Sequence, residues 1–563
     1  MKVLFINVNE KSFWEENVEH EKIKGILDLG IFFHLEKYKS YSKHVFSPEN
    51  ALVIGCGNLS YSGSQRAVFI FRSPLHGGIH SSTMGGLGEY IKKAGYNAIV
   101  IEGKSEQSIF VAVKNNEVKF IETELPQNIF IKEHKLYKEL KNFYQGILFR
   151  IALCGLGSET TKYGCIVSSK PGKIGVVSDI AGRGGAGSVL YRAHNVVGIS
   201  IGGNLDIKIT TSPDFVKQQM EATKKYREKG TFGANYLHLK ENTILFNWLS
   251  FLLPKEKRLQ IFSKFIEQEL LKNYSFSSDT CGERCVAVCK KIESKVKIDY
   301  EPVEGLGPFI GIFNRTYIKT LLHTIDSLGL DAIYFGSVLG AVFEALHKEV
   351  IPKDIFSLDE TPVMDCESPN SEKNFMIAKY LIEKISYGEL AILGENIRIL
   401  GKELGITDLA LYIPHGNEFD MTPNFYWSLG LMLPIVMHGK YFSDYHTVVK
   451  PPEEYAKICA ERSIMEYILD NLGICRFHRA WAESKISEDV LNTSKFWIAK
   501  LWEYKKKANA LPKFWESKRT IEVIKKLFEE HGSGEWKNVD ESKIKEYWNA
   551  WQKEYLKNLE IKD

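Results

Sequence analysis

The sequence predicts an α+β protein of three domains: a β-rich N-terminal domain over residues 1–206, then two mainly helical domains over 207–402 and 403–563. Three observations lead there. Of the 44 glycines, 23 fall between Gly55 and Gly203, a density that serves tight turns. Short β-branched runs of strand length lie between those turns. From Ser212 onward apolar residues recur at helical spacing and glycines become sparse. A chain of 563 residues, 44% hydrophobic and 25% charged, can bury three or four such cores.

In order along the chain, Lys2-Val3-Leu4-Phe5-Ile6 reads as a first strand rather than a signal peptide, because its apolar stretch is short and runs into Asn9-Glu10-Lys11. Ala51–Ile54, Ala67–Phe71, Ala98–Ile101 and Ile109–Val113 follow as further strands. Asp214–Lys229, Leu259–Tyr274 and Arg315–Asp326 carry the helical pattern, Lys348–Ser371 reads as an exposed excursion, and Gly401–Gly405 marks the hinge into the third domain. The Trp-, Lys- and Glu-rich tail from Lys513 reads as a helix pair packing its aromatics on the body. No repeat of 20 to 50 residues is visible.

The net charge of +3, from 73 basic and 70 acidic residues, gives no electrostatic reason for a nucleic-acid or membrane partner. No apolar run approaches the roughly 20 residues that span a bilayer. Nine cysteines, an odd number without a secretion signal, argue against a disulfide framework and for a cytoplasmic protein.

Three of those cysteines form Cys281-x3-Cys285-x3-Cys289. Soft thiolates at such spacing suit an iron–sulfur cluster or zinc. Zinc is disfavoured because no second close ligand pair follows. A cubane needs a fourth thiol, and Cys475, presented by a glycine turn, can supply it. Cys56, Cys154, Cys165, Cys366 and Cys459 read as small buried hydrophobes.

A short echo joins two distant segments. Asp326-Ser-Leu-Gly-Leu-Asp331 and Asp470-Asn-Leu-Gly-Ile-Cys475 each follow a helical pattern and place a glycine where a left-handed C-cap belongs. Two glycine loops, Gly85-Gly86-Leu87-Gly88 and Ala181-Gly182-Arg183-Gly184-Gly185, let backbone amides approach an anion. Together these features point to a large phosphate-bearing redox cofactor gripped from two sides.

Taken in order, the motifs resemble the tungsten-containing aldehyde:ferredoxin oxidoreductase family over nearly the whole chain. The likeness rests on Ser47-Pro48-Glu49-Asn50, Arg66, Ser73-Pro74-Leu75, Gly85-Gly86, Ala94–Lys104, Ala181–Gly185, the cysteine triplet, Tyr300-Glu301, Gly329-Leu330-Asp331, Leu472–Cys475 and Leu511-Pro512-Lys513. The resemblance implies a base domain of two sheets and two helical domains that enclose a tungsten bis-pterin site, with Mg2+ bridging the pterin phosphates. By the same resemblance Arg66, Thr83, Gly85, Gly182 and Arg183 face the pterins. Asp326, Leu330 and Asp331 grip one of them, and Asp470 and Ile474 the other. Cys281, Cys285, Cys289 and Cys475 hold a [4Fe-4S] cluster. Glu301 is the candidate proton-handling residue, and His438 the candidate imidazole at the metal. The implied reaction is oxidation of an aldehyde to the acid, with electrons passing to ferredoxin or a small iron–sulfur subunit.

Departures from the family pattern fall at identifiable places. The first gap of the triplet is three residues where two are usual, Asp179-Ile180 replaces an arginine and a small residue, and Thr83 replaces an asparagine. The usual Asp-Pro-Arg-Gly run gives way to Thr422-Pro423-Asn424. Thr320 stands where a dimer-bridging glutamate would fall, so that bridge is not expected. Two readings compete with the leading one: a reductive reaction on an acid or acyl thioester with the same cofactors, and a non-catalytic subunit of the same fold.

Overall fold

The computed structural model describes residues 1–562 apart from 58–65, 208–211, 283–284, 434–446 and 485. Its first domain contains twelve strands: β1 (Lys2–Asn7), β2 (Ser12–Asn17), β3 (Leu52–Cys56), β4 (Arg66–Arg72), β5 (Ile79–Gly85), β6 (Ala98–Glu102), β7 (Ile109–Lys114), β8 (Glu117–Glu122), β9 (Phe149–Leu153), β10 (Ile166–Ser169), β11 (Val177–Ala181) and β12 (Val196–Gly202). One sheet runs β2-β1-β6-β3-β4-β5 and the other β8-β7-β12-β9-β10-β11. Each strand of the second sheet thus holds the place of the strand six earlier in the first.

The match extends to direction and to helices. β1 pairs with β6, and β7 with β12, in parallel, while every other neighbouring pair in the two sheets is antiparallel. Helices Ile26–Phe32 and Ile129–Tyr144 each follow the second strand of their half, and Leu87–Lys93 and Ala186–His194 each follow the fifth. The base domain is therefore a duplication, residues 2–102 and 109–202. Its long period and diverged sequence put it beyond a search for short repeats.

The two sheets pack face to face. Leu4, Ile6, Leu52, Ile54, Ile99 and Ile101 of the first meet Ile109, Val111, Ile199 and Ile201 of the second, with Leu87, Ile91, Val189 and Leu190 of the two later helices filling the same layer. Val3, Phe5, Val53 and Val100 point the other way, into the core shared with the helical domains. Both faces of these strands are buried, which is why β1 reads as an unbroken apolar run instead of an alternating one.

Beyond residue 206 the chain is helical with two small sheets, Ser277–Asp279/Lys290–Glu293/Val296–Lys297 and Ile413–His415/Phe419–Met421. The helical expectation holds with two local changes. Asp214–Lys229 breaks at Thr223 into Pro213–Ala222 and Lys224–His238. Lys255–Ile261 widens into a π-helical segment, Phe262–Leu270. Gly401 lies inside the helix Ile397–Glu403. The tail forms Lys518–His531 and Glu541–Asn558, burying Trp548, Trp551 and Tyr555. A buried ion pair, Arg519 Nη2 to Glu344 Oε1 at 2.7 Å, joins the first tail helix to Ala332–His347.

The long helix Pro452–Asn471 is fixed to the base by a reciprocal cap. Asn471 Oδ1 accepts from the amides of Leu27 (2.8 Å) and Asp28 (3.0 Å), and its Nδ2 donates to Asp28 Oδ2 at 2.9 Å. Tyr467 donates to Asp28 Oδ1 at 2.6 Å. Burial raises Asp28 to about 6 despite these donors. Asn471→Asp would set two carboxyl oxygens against each other, at a cost of about 3–5 kcal/mol for an uncompensated buried charge. The acid pair then has a folded-state pKa above its unfolded value, so the folded variant binds a proton more tightly and regains stability as pH falls. Thermal melts of wild type and variant should differ more at pH 8 than at pH 6; a pH-independent difference would refute this account.

Candidate cofactor site

Each hexapeptide docks on one half of the duplicated base. The helix Arg315–Leu328 ends at Gly329 (φ +70°), whose carbonyl accepts from Cys165 N at 2.7 Å. Leu330 then bridges to Gly164, and Asp331 N donates to Tyr163 O at 3.0 Å. The helix Pro452–Asn471 is followed by Gly473 (φ +67°), whose carbonyl accepts from Arg66 N at 3.0 Å. Arg66 and Cys165 occupy equivalent places at the starts of β4 and β10. The echo in the sequence therefore records two equivalent dockings.

The candidate cluster ligands lie where the two halves of the base meet. Cys281, Cys285 and Cys289 occupy a loop between strands Ser277–Asp279 and Lys290–Glu293, and Cys475 caps the turn Arg476–His478. Cys281 O accepts from Arg150 Nη2 (2.7 Å) and Ser178 Oγ (2.8 Å), while Arg150 Nη1 donates to Gly85 O at 2.9 Å. One guanidinium thus ties the Gly85 turn to the first cysteine. Burial pushes the Cys281 thiol up to about 11, Cys285 up to about 12 and Cys289 well above its usual value, and the charges of Cys281 and Cys475 add to the effect on the other two. Cys285 Sγ lies 3.5 Å from Nε2 of His478, in the turn that Cys475 caps, and Cys281 Sγ lies at the Gly85 turn, so the four thiols are candidate ligands in one region of the seam. Among the described residues no group of three His, Cys, Asp or Glu side chains is arranged to hold a single metal ion.

Charged side chains rim the same region. Asp179 accepts from Gly85 N at 2.6 Å and faces Arg66 Nη2 at 3.6 Å and Lys297 Nζ at 3.3 Å. Burial would raise Asp179, but the two cations outweigh it and hold the carboxyl below its ordinary value. Arg183 Nη2 donates to Thr422 O at 2.8 Å, and its Nε lies 3.8 Å from Asp331 Oδ2. Arg66 Nε, Arg183 Nη1 and Asp331 Oδ2 are buried without hydrogen-bond partners. Unmade bonds of this kind cost about 1–3 kcal/mol each. Two arginine donors beside two glycine loops fit the phosphates of a cofactor, and the free Asp331 oxygen fits one of its N–H groups.

Glu301, in the first turn of the helix Tyr300–Leu306, accepts from Asn424 Nδ2 at 3.0 Å through Oε1. Burial first and Asp299 second raise its pKa, while Arg183 opposes them. Glu301, Arg66, Lys297 and Cys281 are each half-buried.

The remaining predicted residues take varied places. Thr83 pairs with Val68 on β5 and is part-exposed. A side chain at Gly182 would meet only Ile180 at ordinary contact distance. Asp326, buried, is raised to about 7 by desolvation. Asp470 Oδ2 accepts from Ser81 Oγ at 2.6 Å. The side chains of Leu330 and Ile474 belong to apolar cores, and their amides bond to Ile325 O and Leu469 O, leaving their carbonyls for the site. His438 lies outside the described residues. Sequence reasoning missed Asp179 as a hub, Lys297, Arg150, Asn424 and His478, whose Nε2 is 3.5 Å from Cys285 Sγ. The cue for Asp179 was its place one strand end before a glycine loop, where it was read only as a departure.

A duplicated two-sheet base that docks the helical region twice, with four cysteines near one docking, is the architecture of an oxidoreductase. The chain belongs to the aldehyde ferredoxin oxidoreductase family: the family's N-terminal domain matches residues 3–203 and its domains 2 and 3 match 214–516. It is 33% identical to the glyceraldehyde-3-phosphate:ferredoxin oxidoreductase of Pyrococcus furiosus, with 92% of each chain covered. It is 22% identical to the tungsten-containing aldehyde ferredoxin oxidoreductase of Pyrococcus horikoshii, over 93% of this chain and 88% of that one. Among solved structures, the active-site complex of benzoyl coenzyme A reductase with 1,5-dienoyl-CoA superposes with a TM-score of 0.66 at 16% identity, covering 100% and 99% of the two chains. That likeness concerns the fold.

At Gly85 an added Cβ would lie 2.3 Å from Cys281 Sγ and 3.0 Å from Asp179 Oδ2. Gly85→Ala should therefore displace the first thiol and lower iron and acid-labile sulfide per chain, measured on anaerobically purified protein. Full cluster content would show that Cys281 is not held against this turn.

Proposed function

We propose that the protein is a tungstopterin oxidoreductase that oxidises an aldehyde to its carboxylic acid and passes the electrons through a [4Fe-4S] cluster to ferredoxin or a small iron–sulfur partner. The observation that carries this reading is the pairing of two equivalent hexapeptide dockings with Cys475 at the end of one and Cys281 and Cys285 packed near it, at the Gly85 turn and at His478. Names of the relatives, one acting on a phosphorylated aldehyde and others containing tungsten, support it.

Arg66 and Arg183 would hold the two pterins through the unpartnered donors Nε and Nη1, helped by the amides of the two glycine loops. Asp331 Oδ2 and the carbonyls of Leu330 and Ile474 would accept from the pterin rings, with Asp326, Asp470 and Thr83 beside them. Cys281, Cys285, Cys289 and Cys475 would ligate the cluster. Tungsten, when bound, supplies the two-electron oxidation that one-electron carriers cannot perform alone.

The chain's own part is positioning and proton transfer. Asn424 donates to Oε1 of Glu301, which leaves Oε2 to hold the proton. A carboxyl raised by burial works nearer neutral pH as a proton acceptor than an ordinary glutamate does. Arg183, held by Thr422 O, limits that rise and keeps the ionised form within reach.

Elemental analysis should give one tungsten and four irons per chain; zinc or no metal would defeat the reading. Viologen reduction with a panel of plain and phosphorylated aldehydes tests the reaction, and its absence with every member would overturn the oxidation. Glu301→Gln should stay folded and metallated yet lose about two to four orders of magnitude in kcat. In wild type kcat/KM should rise with pH through the raised glutamate pKa, and that limb should vanish in the variant.

A further inference from the structure

Electrons delivered to the cluster need a way out, and the wall is thin on one side. Helix Pro213–Ala222 buries Gln219, whose Oε1 lies 2.8 Å from His478 Nδ1, and His478 Nε2 lies 3.5 Å from Cys285 Sγ. The next helix stacks Tyr226 on Phe477 at 4.5 Å, two residues from Cys475. An added Cβ at its Gly230 would lie 3.5 Å from Cys289 O. The two helices thus approach Cys289 at Gly230 and Cys285 through His478.

These helices also form an open groove of about 720 Å³ lined by Val216, Lys217, Met220, Lys224 and Arg227 together with Glu221 and Glu228, three cations against two carboxylates. Met220 is 39% exposed. Residues 213–229 hold five cations, Lys217, Lys224, Lys225, Arg227 and Lys229, against three carboxylates, Asp214, Glu221 and Glu228. Four of the five cations are exposed, and Arg227 Nε is buried without a hydrogen-bond partner. An apolar floor ringed by unspent positive charge suits a small protein with an acidic face. Such attraction speeds encounter without demanding tight binding, which is what a carrier that must leave again requires.

We propose that this groove is the docking surface of the electron carrier, a small iron–sulfur protein that presents an acidic face. The inference rests on the redox reading above. In the transfer the oxidised carrier gains one electron as this chain's cluster loses one. No bond forms or breaks, and two carriers in turn remove the pair that aldehyde oxidation releases.

The test uses the full-length, metal-loaded enzyme and the double variant Lys217→Glu/Lys224→Glu, with an acidic two-cluster ferredoxin and methyl viologen as alternative acceptors. The ferredoxin KM should rise at least tenfold, the viologen-linked rate should stay within twofold, and the reduced-cluster EPR signal should be unchanged. Added salt should weaken the wild-type ferredoxin reaction, because exposed charges are screened within about 10 Å at 0.1 M. Carbodiimide should cross-link wild-type Lys217 or Lys224 to ferredoxin carboxylates, located by mass spectrometry. An unchanged ferredoxin KM, or cross-links confined to another face, would overturn the proposal. A wild-type enzyme inert toward viologen would instead defeat the redox reading, while the cross-links still judge the groove.

Discussion

The site depends on two carbonyls, Gly329 O and Gly473 O, each bonded to an amide at the same place in one half of the base. Both glycines adopt left-handed backbone, which a side chain would strain. Their partners leave no room either: an added Cβ at Gly57 would lie 1.6 Å from Leu472 O, and one at Gly155 would lie 2.5 Å from Leu328 O. Each helical domain is therefore held to its own half by backbone contact, with a precision that side-chain packing alone would not give. Asp331 and Cys475, two residues beyond the glycines, inherit that precision.

At the candidate site burial acts on every carboxyl alike, and the neighbours decide the outcome. Asp179 has Lys297 and Arg66 within 3.3 and 3.6 Å and stays ionised. Glu301, Asp326 and Asp331 have weaker compensation and shift upward. One site thus contains a fixed negative charge that braces the Gly85 turn and acids that can carry protons. The difference follows from the position of two cations, because desolvation of an isolated carboxylate would otherwise neutralise it.

Much of this was legible in the sequence. Glycine density marked the base, helical periodicity the remaining domains, and the Asp-x-Leu-Gly echo two glycine-ended helices, because all three are local signals; that both ends dock on the base was not legible. The duplication was not, since its halves share topology and not residues: Arg66 in one corresponds to Cys165 in the other. Nor were Lys297, Arg150 and His478 legible. Each acts through contacts with residues distant in the chain, and a lone lysine, arginine or histidine has no pattern that distinguishes it from a surface residue. The break of Asp214–Lys229 at Thr223 was hidden because both helices continue the same polar composition, while Thr223 Oγ1 bonds back to Gln219 O at 2.6 Å.

The duplication also explains why electrons would have one exit. Two equivalent cradles would offer two, but the residues at equivalent positions have diverged. Where the first half has Arg66 with its guanidinium toward Asp179, the second has Cys165, whose thiol donates to Gly182 O. Where the first hexapeptide ends in Asp331, capping the helix Ala332–His347 and facing Arg183, the second ends in Cys475. The cysteine loop is held at the seam between the halves, with Cys281 O bonded to Arg150 and Ser178 of the second half and its Sγ against the Gly85 turn of the first. A symmetric scaffold thereby acquires two unlike cradles: Cys475 stands at the end of one, and a helix cap with an ion pair at the other, which gives the proposed exit its asymmetry.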